Sequence, residues 1–584
     1  MKDEKMVKTG YSSIDKPWLK YYSEEAINTL MPERTVYEHI WENNKEHLDE
    51  IALHYFDRKI TYFKLFENIE KVAKAFTELG LKEGDVVILA TVTIPETIYA
   101  FYALNKIGVI SNMVDPRTSV EGLREYIYEA NVKYILTLDA CYPKILDACI
   151  GTNVEKIIVT SPANSLSLFK KIVYTIMNYS KNKMFYESNT ILWSEFVKKG
   201  MNKVAMTAPY IKDNCCVIVH TGGTTGTPKG VMLSNECLNS AVVQCDKSGF
   251  DFQRKHKMLG IMPPFIAYGI CNNIHLPLST GMSLVVLPKF DPNEYDTLLL
   301  KHKPNHIAGV PSHYNAIIHS NKLKNADLSF ICSPVVGGDG TEIHFEEAVN
   351  DFLSEHNCST RLIKGYGMTE VCAAISTTSQ NRFNKLGSVG IPFTHSVISV
   401  FDMDMNELPI GEIGEICMRA PHVMLGYHEN TDETSKILKK HDDGYVWIHS
   451  GDLGYIDEDG CVFIKGRIKR MIVRYDGFKV YPTQIESVVA SHEAVKACCV
   501  VGTPDKEKEQ GKLPVVFAVL NNGYDENIVK KDLISLCSQE LAEYAQPIDY
   551  RFIDKIPLTA IGKVDYRTLE ENVKRFKWGV ITNE

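Results

Sequence analysis

Residues 86 to 138 decide the fold. They open on Val86-Val87-Ile88-Leu89-Ala90-Thr91, run through Pro95-Glu96-Thr97-Ile98-Tyr99-Ala100-Phe101-Tyr102, return to Val109-Ile110-Ser111-Asn112-Met113, and end on Tyr134-Ile135-Leu136-Thr137-Leu138. The apolar runs are strand-length and lie between longer segments with helical spacing. This predicts strands over 86–91, 109–113 and 134–138, with helices over 95–106 and 120–130. Strands alternating with helices of that length give parallel α/β layers.

Working outward, residues up to about 33 are irregular and polar, and between 36 and 81 helical patterns flank a strand-turn-strand over 51–55 and 59–62. The strand–helix rhythm recurs from Val217 to Glu370, with apolar strands such as Ser283-Leu284-Val285-Val286-Leu287. After Gly387 the character changes to short strands joined by turns such as Asp457-Glu458-Asp459-Gly460, which reads as a β-rich subdomain. Beyond Arg467 a compact α/β pattern runs to the end, long enough for a small separate domain. The expected fold is α/β: a large N-terminal region of stacked α/β subdomains with a β-rich subdomain (1–466), then a small α+β C-terminal domain (467–584). No internal repeat is visible.

The chain has 584 residues, 45% of them hydrophobic and 23% charged, with 37 glycines and 24 prolines. That is the composition of a globular protein rather than a low-complexity chain. Its 64 basic and 73 acidic residues leave a net charge of −9, which argues against a nucleic-acid partner. The start, Met1-Lys2-Asp3-Glu4-Lys5, lacks the apolar run of a secretory signal, and no apolar stretch is long enough for a membrane span. The 15 cysteines are scattered without a C-x-x-C pair, so reduced thiols in a cytoplasmic protein are expected.

The strongest chemical signal is His220-Thr221-Gly222-Gly223-Thr224-Thr225-Gly226-Thr227-Pro228-Lys229-Gly230, directly after an apolar strand. Glycines let the backbone approach an anion, threonines add hydroxyl donors and Lys229 adds a point charge, so the loop suits a phosphate. It is not a Walker A loop, because Pro228 precedes Lys229 and no Ser or Thr follows it. Downstream, Gly365-Tyr366-Gly367-Met368-Thr369-Glu370 offers an aromatic face, a hydroxyl and a carboxylate suited to magnesium.

From His220 to Asp565 these motifs and six more resemble, in order, the adenylate-forming superfamily, and among its members the bacterial fatty acyl-CoA synthetases. By that resemblance the loop, with Thr225, holds the phosphates of ATP. Gly337-Gly338-Asp339-Gly340 resembles the adenine-side turn, with Gly337 also at the acid pocket. Tyr366 would stack on adenine, Thr369 would contact the α-phosphate and Glu370 would bind Mg2+. Gly387-Ser388-Val389-Gly390 and Gly426-Tyr427 also match. Asp452, in Ser450-Gly451-Asp452, and Arg467 resemble the ribose-binding pair, and Lys469 the interdomain hinge. Pro557-Leu558-Thr559-Ala560-Ile561-Gly562-Lys563 resembles the loop of the catalytic lysine, here Lys563. The resemblance implies a mobile small domain that turns about the hinge after adenylation, bringing the loop around Gly477 toward a thiol tunnel.

The implied reaction is attack of a carboxylate on the α-phosphorus of ATP, loss of pyrophosphate, and capture of the acyl-adenylate by coenzyme A. Met262-Pro263-Pro264-Phe265-Ile266-Ala267-Tyr268 resembles the acid-pocket motif, with Ile266 where many CoA ligases have histidine. Amino-acid-activating relatives place an aspartate there to pair a buried ammonium, which Ile266 cannot do. Phe265, Ile266, Tyr268 and Ala373 therefore suggest a pocket for a medium- or long-chain fatty acid. The alternatives are a fatty acyl-AMP ligase that hands its product to an acyl carrier protein, and a non-catalytic nucleotide-binding protein.

One segment departs from the net charge. Residues 161–186 hold Lys170, Lys171, Lys181 and Lys183 and no acid, with apolar residues at helical spacing. A helix packed on its own core is the favoured reading, and peripheral membrane contact through 165–184 is the alternative.

Overall fold

The computed structural model describes residues 8–177, 187–221, 229–379, 383–476, 478–505, 508, 511–558 and 564–575. The deciding stretch folds as expected: strands Val86–Ala90, Ile110–Val114 and Tyr134–Leu138 pair in parallel, with helices Pro95–Lys106 and Val120–Glu129 as crossovers. Pro95 opens its helix, where its missing N–H is no loss. Ser119 caps the next by accepting from the Gly122 amide at 3.1 Å.

These strands sit inside an eight-stranded sheet running Gly426–Tyr427, Gly230–Ser234, Cys215–His220, Ile110–Val114, Val86–Ala90, Tyr134–Leu138, Lys156–Thr160, Thr190–Leu192. A second sheet has nine strands, from Ile391–Pro392 at one edge through Ile363–Tyr366, Ser333–Val336 and His306–Gly309 to Arg58–Thr61 at the other. The parallel expectation holds for the centre of both sheets. Edges of both sheets turn antiparallel through a short connection: Cys215–His220 forms a hairpin with Gly230–Ser234, and Ile363–Tyr366 pairs antiparallel with Ser376–Thr377, while the Thr190–Leu192 edge stays parallel. The cause is connection length, since a short loop cannot make a parallel crossover. One main core lies against both sheets, and the wholly buried Phe76, Phe101 and Tyr102 are among its largest side chains. Such burial stabilises by roughly 1.5–3 kcal/mol per side chain.

The β-rich region is a five-stranded antiparallel sheet in which Val446–Ile456 pairs with Gly414–Arg419, Leu438–Lys440 and Val462–Arg467. The small C-terminal domain has its own three-stranded sheet (Val495–Pro504, Lys512–Leu520, Asp549–Phe552) and its own cores. Among the described residues no helix is long and apolar enough to cross a membrane.

Helix Leu168–Met177 falls in the basic segment. Tyr174 packs against the main core, while Phe169 is 76% exposed and Ile172 59%, so these two apolar side chains are not covered. Lys181 and Lys183 lie outside the described residues.

Candidate active site

The sequence-derived residues gather on one cleft of about 3340 Å³, walled by both the large and the small domain. Strand ends bring them there. His220 and Gly230 are paired at the open end of the hairpin, and the Thr221 amide donates to the Lys229 carbonyl at 3.0 Å, closing the neck of the loop between them. Thr221 and Lys229 line the cleft. Gly222, Gly223, Thr224, Thr225 and Gly226 lie outside the described residues.

Lys229 pairs with Glu433, and its ammonium sits 4.9 Å from the centre of the Tyr427 ring. Hydrogen bonds from Lys229 and Lys436 pull the Glu433 carboxyl down to about 2, so it is charged at neutral pH. The Tyr427 hydroxyl donates to Glu370 Oε1 at 2.7 Å. Glu433 gave no signal in the sequence: nothing in Thr431-Asp432-Glu433-Thr434 distinguishes it from the charged first turn of a surface helix.

Glu370 is buried on the short turn Thr369–Val371. The turn is tight. Cys372 and Ala373 take positive φ of 52° and 93°, and a Cβ on Gly367 would stand 1.9 Å from the Ala373 carbonyl oxygen, so only glycine fits there. Among the described residues the Glu370 carboxylate has one hydrogen bond, from the neutral Tyr427, and no ion pair. A buried carboxylate without a cation suits a hard divalent ion, so Glu370 fits magnesium.

At the opposite wall, Asp452 joins two residues that stand far from it in sequence. Its Oδ2 accepts from the Tyr366 hydroxyl at 2.6 Å, and its Oδ1 pairs with Arg467 Nε at 2.7 Å. Burial, and then the Asp452 charge, push the Tyr366 phenol up. Asp452 and Arg467 are register partners on neighbouring strands, which explains their meeting. Gly337, Gly338, Asp339, Gly365, Gly367, Thr369 and Lys469 also line the cleft. Gly338 has φ +79°, and a Cβ on Gly337 would come within 3.1 Å of the Gly365 carbonyl oxygen, so these glycines hold two strand ends together. Beneath them Lys364 and Glu346 form a fully buried ion pair, and Glu346 Oε2 accepts from the Gly387 amide at 3.1 Å. The sequence carried no sign of that pair.

Ile266, Tyr268 and Ala373 are on the wall, with Cys245, Phe250, Phe252, Met258 and Leu276 beyond them. Phe265 is the exception: its ring is buried in the main core with the Arg117 guanidinium 5.7 Å above it, while its neighbour Ile266 faces the cleft. The Phe250 and Phe252 rings stack at 5.0 Å, and the edge of His306 meets Phe252 at 5.0 Å. Burial pushes His306 down to about 3, so its ring is neutral at neutral pH. On the small-domain side Leu558, Val564 and Tyr566 line the cleft, and Leu558 bridges Val564 at the neck of the loop that carries Lys563. Lys563 and Gly477 lie outside the described residues.

The family model described as AMP-binding enzyme matches residues 40–428, and that described as AMP-binding enzyme C-terminal domain matches 484–563. The chain is 29% identical over 563 residues to a long-chain-fatty-acid–CoA ligase of Bacillus subtilis, covering 95% of this chain and 98% of that one. It is 28% identical over 568 residues to the probable 4-coumarate–CoA ligase 1 of Dictyostelium discoideum, covering 95% and 98%. Among solved structures, ATP-bound MatB from Rhodopseudomonas palustris superposes with a TM-score of 0.80 at 22% identity, over 92% of this chain and 99% of that one. The anthranilate CoA ligase AuaEII in complex with anthranoyl-AMP gives 0.79 at 20%, over 93% and 98%. The structural likenesses carry the fold, a large N-terminal and a small C-terminal domain. With most of its length matched by the family models, the chain belongs to the AMP-binding enzyme family, and so to the adenylate-forming superfamily.

Proposed function

We propose that the chain is an AMP-forming acyl-CoA ligase that activates a medium- or long-chain fatty acid with ATP and then transfers it to coenzyme A. The observation that supports the choice of acid is the apolar part of the cleft wall, where Phe250, Phe252, Met258, Ile266 and Leu276 stand and no described acidic side chain is placed beside them to pair an ammonium. Names among the relatives span fatty-acid and coumarate ligases, so the choice of a fatty acid is supported by the apolar wall rather than by the likeness.

In this reading Asp452 and Arg467 hold the ribose, Tyr366 faces the adenine beside Gly338 and Asp339, and Lys229 with the 222–226 loop holds the phosphates. The acid is already ionised at neutral pH, so its attack on the α-phosphorus needs no general base. Pyrophosphate leaves with the electron pair, and Lys563 and Lys229 stabilise the charge that develops. Thr369 contacts the α-phosphate, and magnesium, which Glu370 would hold, supplies neutralisation of phosphate charge when bound. We place the domain division after residue 466, with Lys469 as hinge. Turning of the small domain replaces Lys563 with the Gly477 loop, and the CoA thiolate then attacks the acyl carbonyl and expels AMP. A carrier-protein thiol is the alternative acceptor. All 15 cysteines are free thiols, as a reducing, cytoplasmic compartment would keep them.

Thioester formation with CoA across fatty acids of rising length, 4-coumarate, benzoate and malonate tests the reading. Turnover is expected to be greatest on fatty acids. Equal or greater turnover on the aryl or dicarboxylic acids contradicts it.

A second reading concerns the exposed Phe169, Ile172 and Val173 beside Lys170 and Lys171. An apolar stripe flanked by lysines suits an anionic lipid surface, where a fatty-acid substrate partitions. Cosedimentation with anionic vesicles is expected to fall when Phe169 and Ile172 are replaced by serine. Unchanged cosedimentation would remove the segment from any membrane role.

A further inference from the structure

Behind the Asp452 wall lies a cluster that the nucleotide reading does not use. Glu415 and Cys417 stand two apart on strand Gly414–Arg419, so their side chains share a face. Cys417 is the register partner of His449 on strand Val446–Ile456. The pairing is irregular between Glu415 and Cys417, because the single Ile416 faces three residues, Ser450, Gly451 and Asp452, with Gly451 at φ +70°. This bulge turns Glu415 back toward His449.

Three ligand-type atoms converge as a result. His449 Nδ1 lies 2.8 Å from Glu415 Oε2 and 3.5 Å from Cys417 Sγ, and the three atoms all lie within 4.8 Å of one another. Cys417 is wholly buried and His449 nearly so, while Glu415 and His449 reach the wall of the cleft, which gives an ion a way in. The other ring nitrogen of His449, Nε2, faces His441 Nε2 at 2.9 Å.

We infer that Glu415, Cys417 and His449 form a binding site for a zinc ion. The donor set of one sulfur, one imidazole nitrogen and one carboxylate oxygen is the chemistry of zinc and not of magnesium or calcium, which take oxygen. In a tetrahedral zinc site with bonds of roughly 2.0–2.3 Å, neighbouring ligand atoms stand roughly 3.3–3.7 Å apart. The sulfur–nitrogen separation already meets this, and the nitrogen–oxygen separation needs to open by about half an ångström. Only one proton can sit on His449 Nδ1, and it faces both the carboxylate and the sulfur. Zinc replaces that proton and the Cys417 thiol proton. One is released to solvent and the other is accounted for by the tautomer change that puts N–H on Nε2; His441 Nε2, the donor to that nitrogen without zinc, then accepts, its own proton moving to its Nδ1. The doubly negative pair Glu415 and Cys417 then balances the ion's charge. The fourth position faces the cleft and is left to water.

The site is distinct from the Glu370 carboxylate, and it is tied to the Asp452 wall: Glu415 Oε1 accepts from the Gly451 amide at 3.0 Å, one residue before Asp452.

The test uses the full chain, stripped of metal and titrated with cobalt(II) and then zinc. The wild type is expected to show the intense visible bands of tetrahedral cobalt with a thiolate-to-cobalt absorption in the near ultraviolet, both bleached by one equivalent of zinc. Cys417→Ser is expected to lose the thiolate absorption and to weaken zinc binding by about tenfold or more, since even outer partners of a ligand are worth 10–100-fold. Glu415→Gln, which keeps the side-chain shape, is expected to keep the thiolate absorption with zinc binding weakened by about tenfold. It supplies the reading if the serine variant folds poorly by circular dichroism. No thiolate absorption in the wild type, or equal absorption in Cys417→Ser, would overturn the inference and leave a hydrogen-bonded cluster only.

Discussion

At the residue scale, Asp452 concentrates what the site does. It accepts from Tyr366 and pairs with Arg467, so one carboxylate fixes an aromatic ring and a guanidinium from different strands. If it takes the ribose hydroxyls, Asp452→Asn removes a charged acceptor worth about 1.5–3 kcal/mol. The expected outcome is a kcat/KM for ATP about 10–100-fold lower in pyrophosphate exchange, with little change in the apparent affinity for the acid. An unchanged dependence on ATP would remove Asp452 from the nucleotide. The sequence named Asp452 and Arg467 through local motifs, and their register partnership explains why both motifs exist. It could not name Glu433 or the buried Lys364–Glu346 pair, because each is defined by a partner far along the chain and sits in an unremarkable local context. Phe265 shows the converse limit: a motif places a residue near a site, but the turn decides which of two neighbours faces the cleft and which enters the core.

At the scale of elements, the helices Ile343–Glu355 and Pro482–Ala490 meet across the two domains through like charges. Burial, and then the Glu486 charge, push Glu342 up to about 7, against the opposing influence of Ser487 and Arg470. Glu486 is itself held by Arg470 at 2.5 Å. The sign follows from linkage. A carboxyl whose pKa is raised in this arrangement favours it below the usual carboxylate range, and the preference is lost as pH rises through about 7. Raising the pH from about 6 to about 8 should therefore loosen this placement of the small domain, as small-angle scattering would read, and Glu342→Gln should remove the pH dependence. A pH shift that survives in Glu342→Gln would assign it to other groups. The strands and helices of 86–138 were legible because their apolar periods are undiluted. The antiparallel edges were not, since strand direction there depends on how short the connecting loops are.

At the scale of the whole molecule, two large sheets, a β-rich layer and a small terminal domain converge on one cleft whose walls carry both charged groups, such as Lys229, Glu370, Asp452 and Arg467, and apolar ones, such as Phe250, Met258 and Ile266. That combination is what a reaction joining a nucleotide to an apolar acid requires, and the family assignment supplies the adenylate-forming chemistry. Its order along the chain was readable from His220 to Asp565, because phosphate and ribose sites are built from short contiguous motifs. The acid end was less so, because Cys245, Phe250, Met258 and Leu276 come together only in the fold. The central claim is adenylation of a hydrophobic acid, and the most direct measurement is fatty-acid-dependent exchange of labelled pyrophosphate into ATP by the wild type and by Lys563→Ala. The expected result is exchange by the wild type only when a fatty acid is present, abolished in Lys563→Ala, while that variant still forms thioester from supplied acyl-adenylate and CoA. Wild-type chain, folded and supplied with magnesium, that exchanges no pyrophosphate with any fatty acid would contradict it.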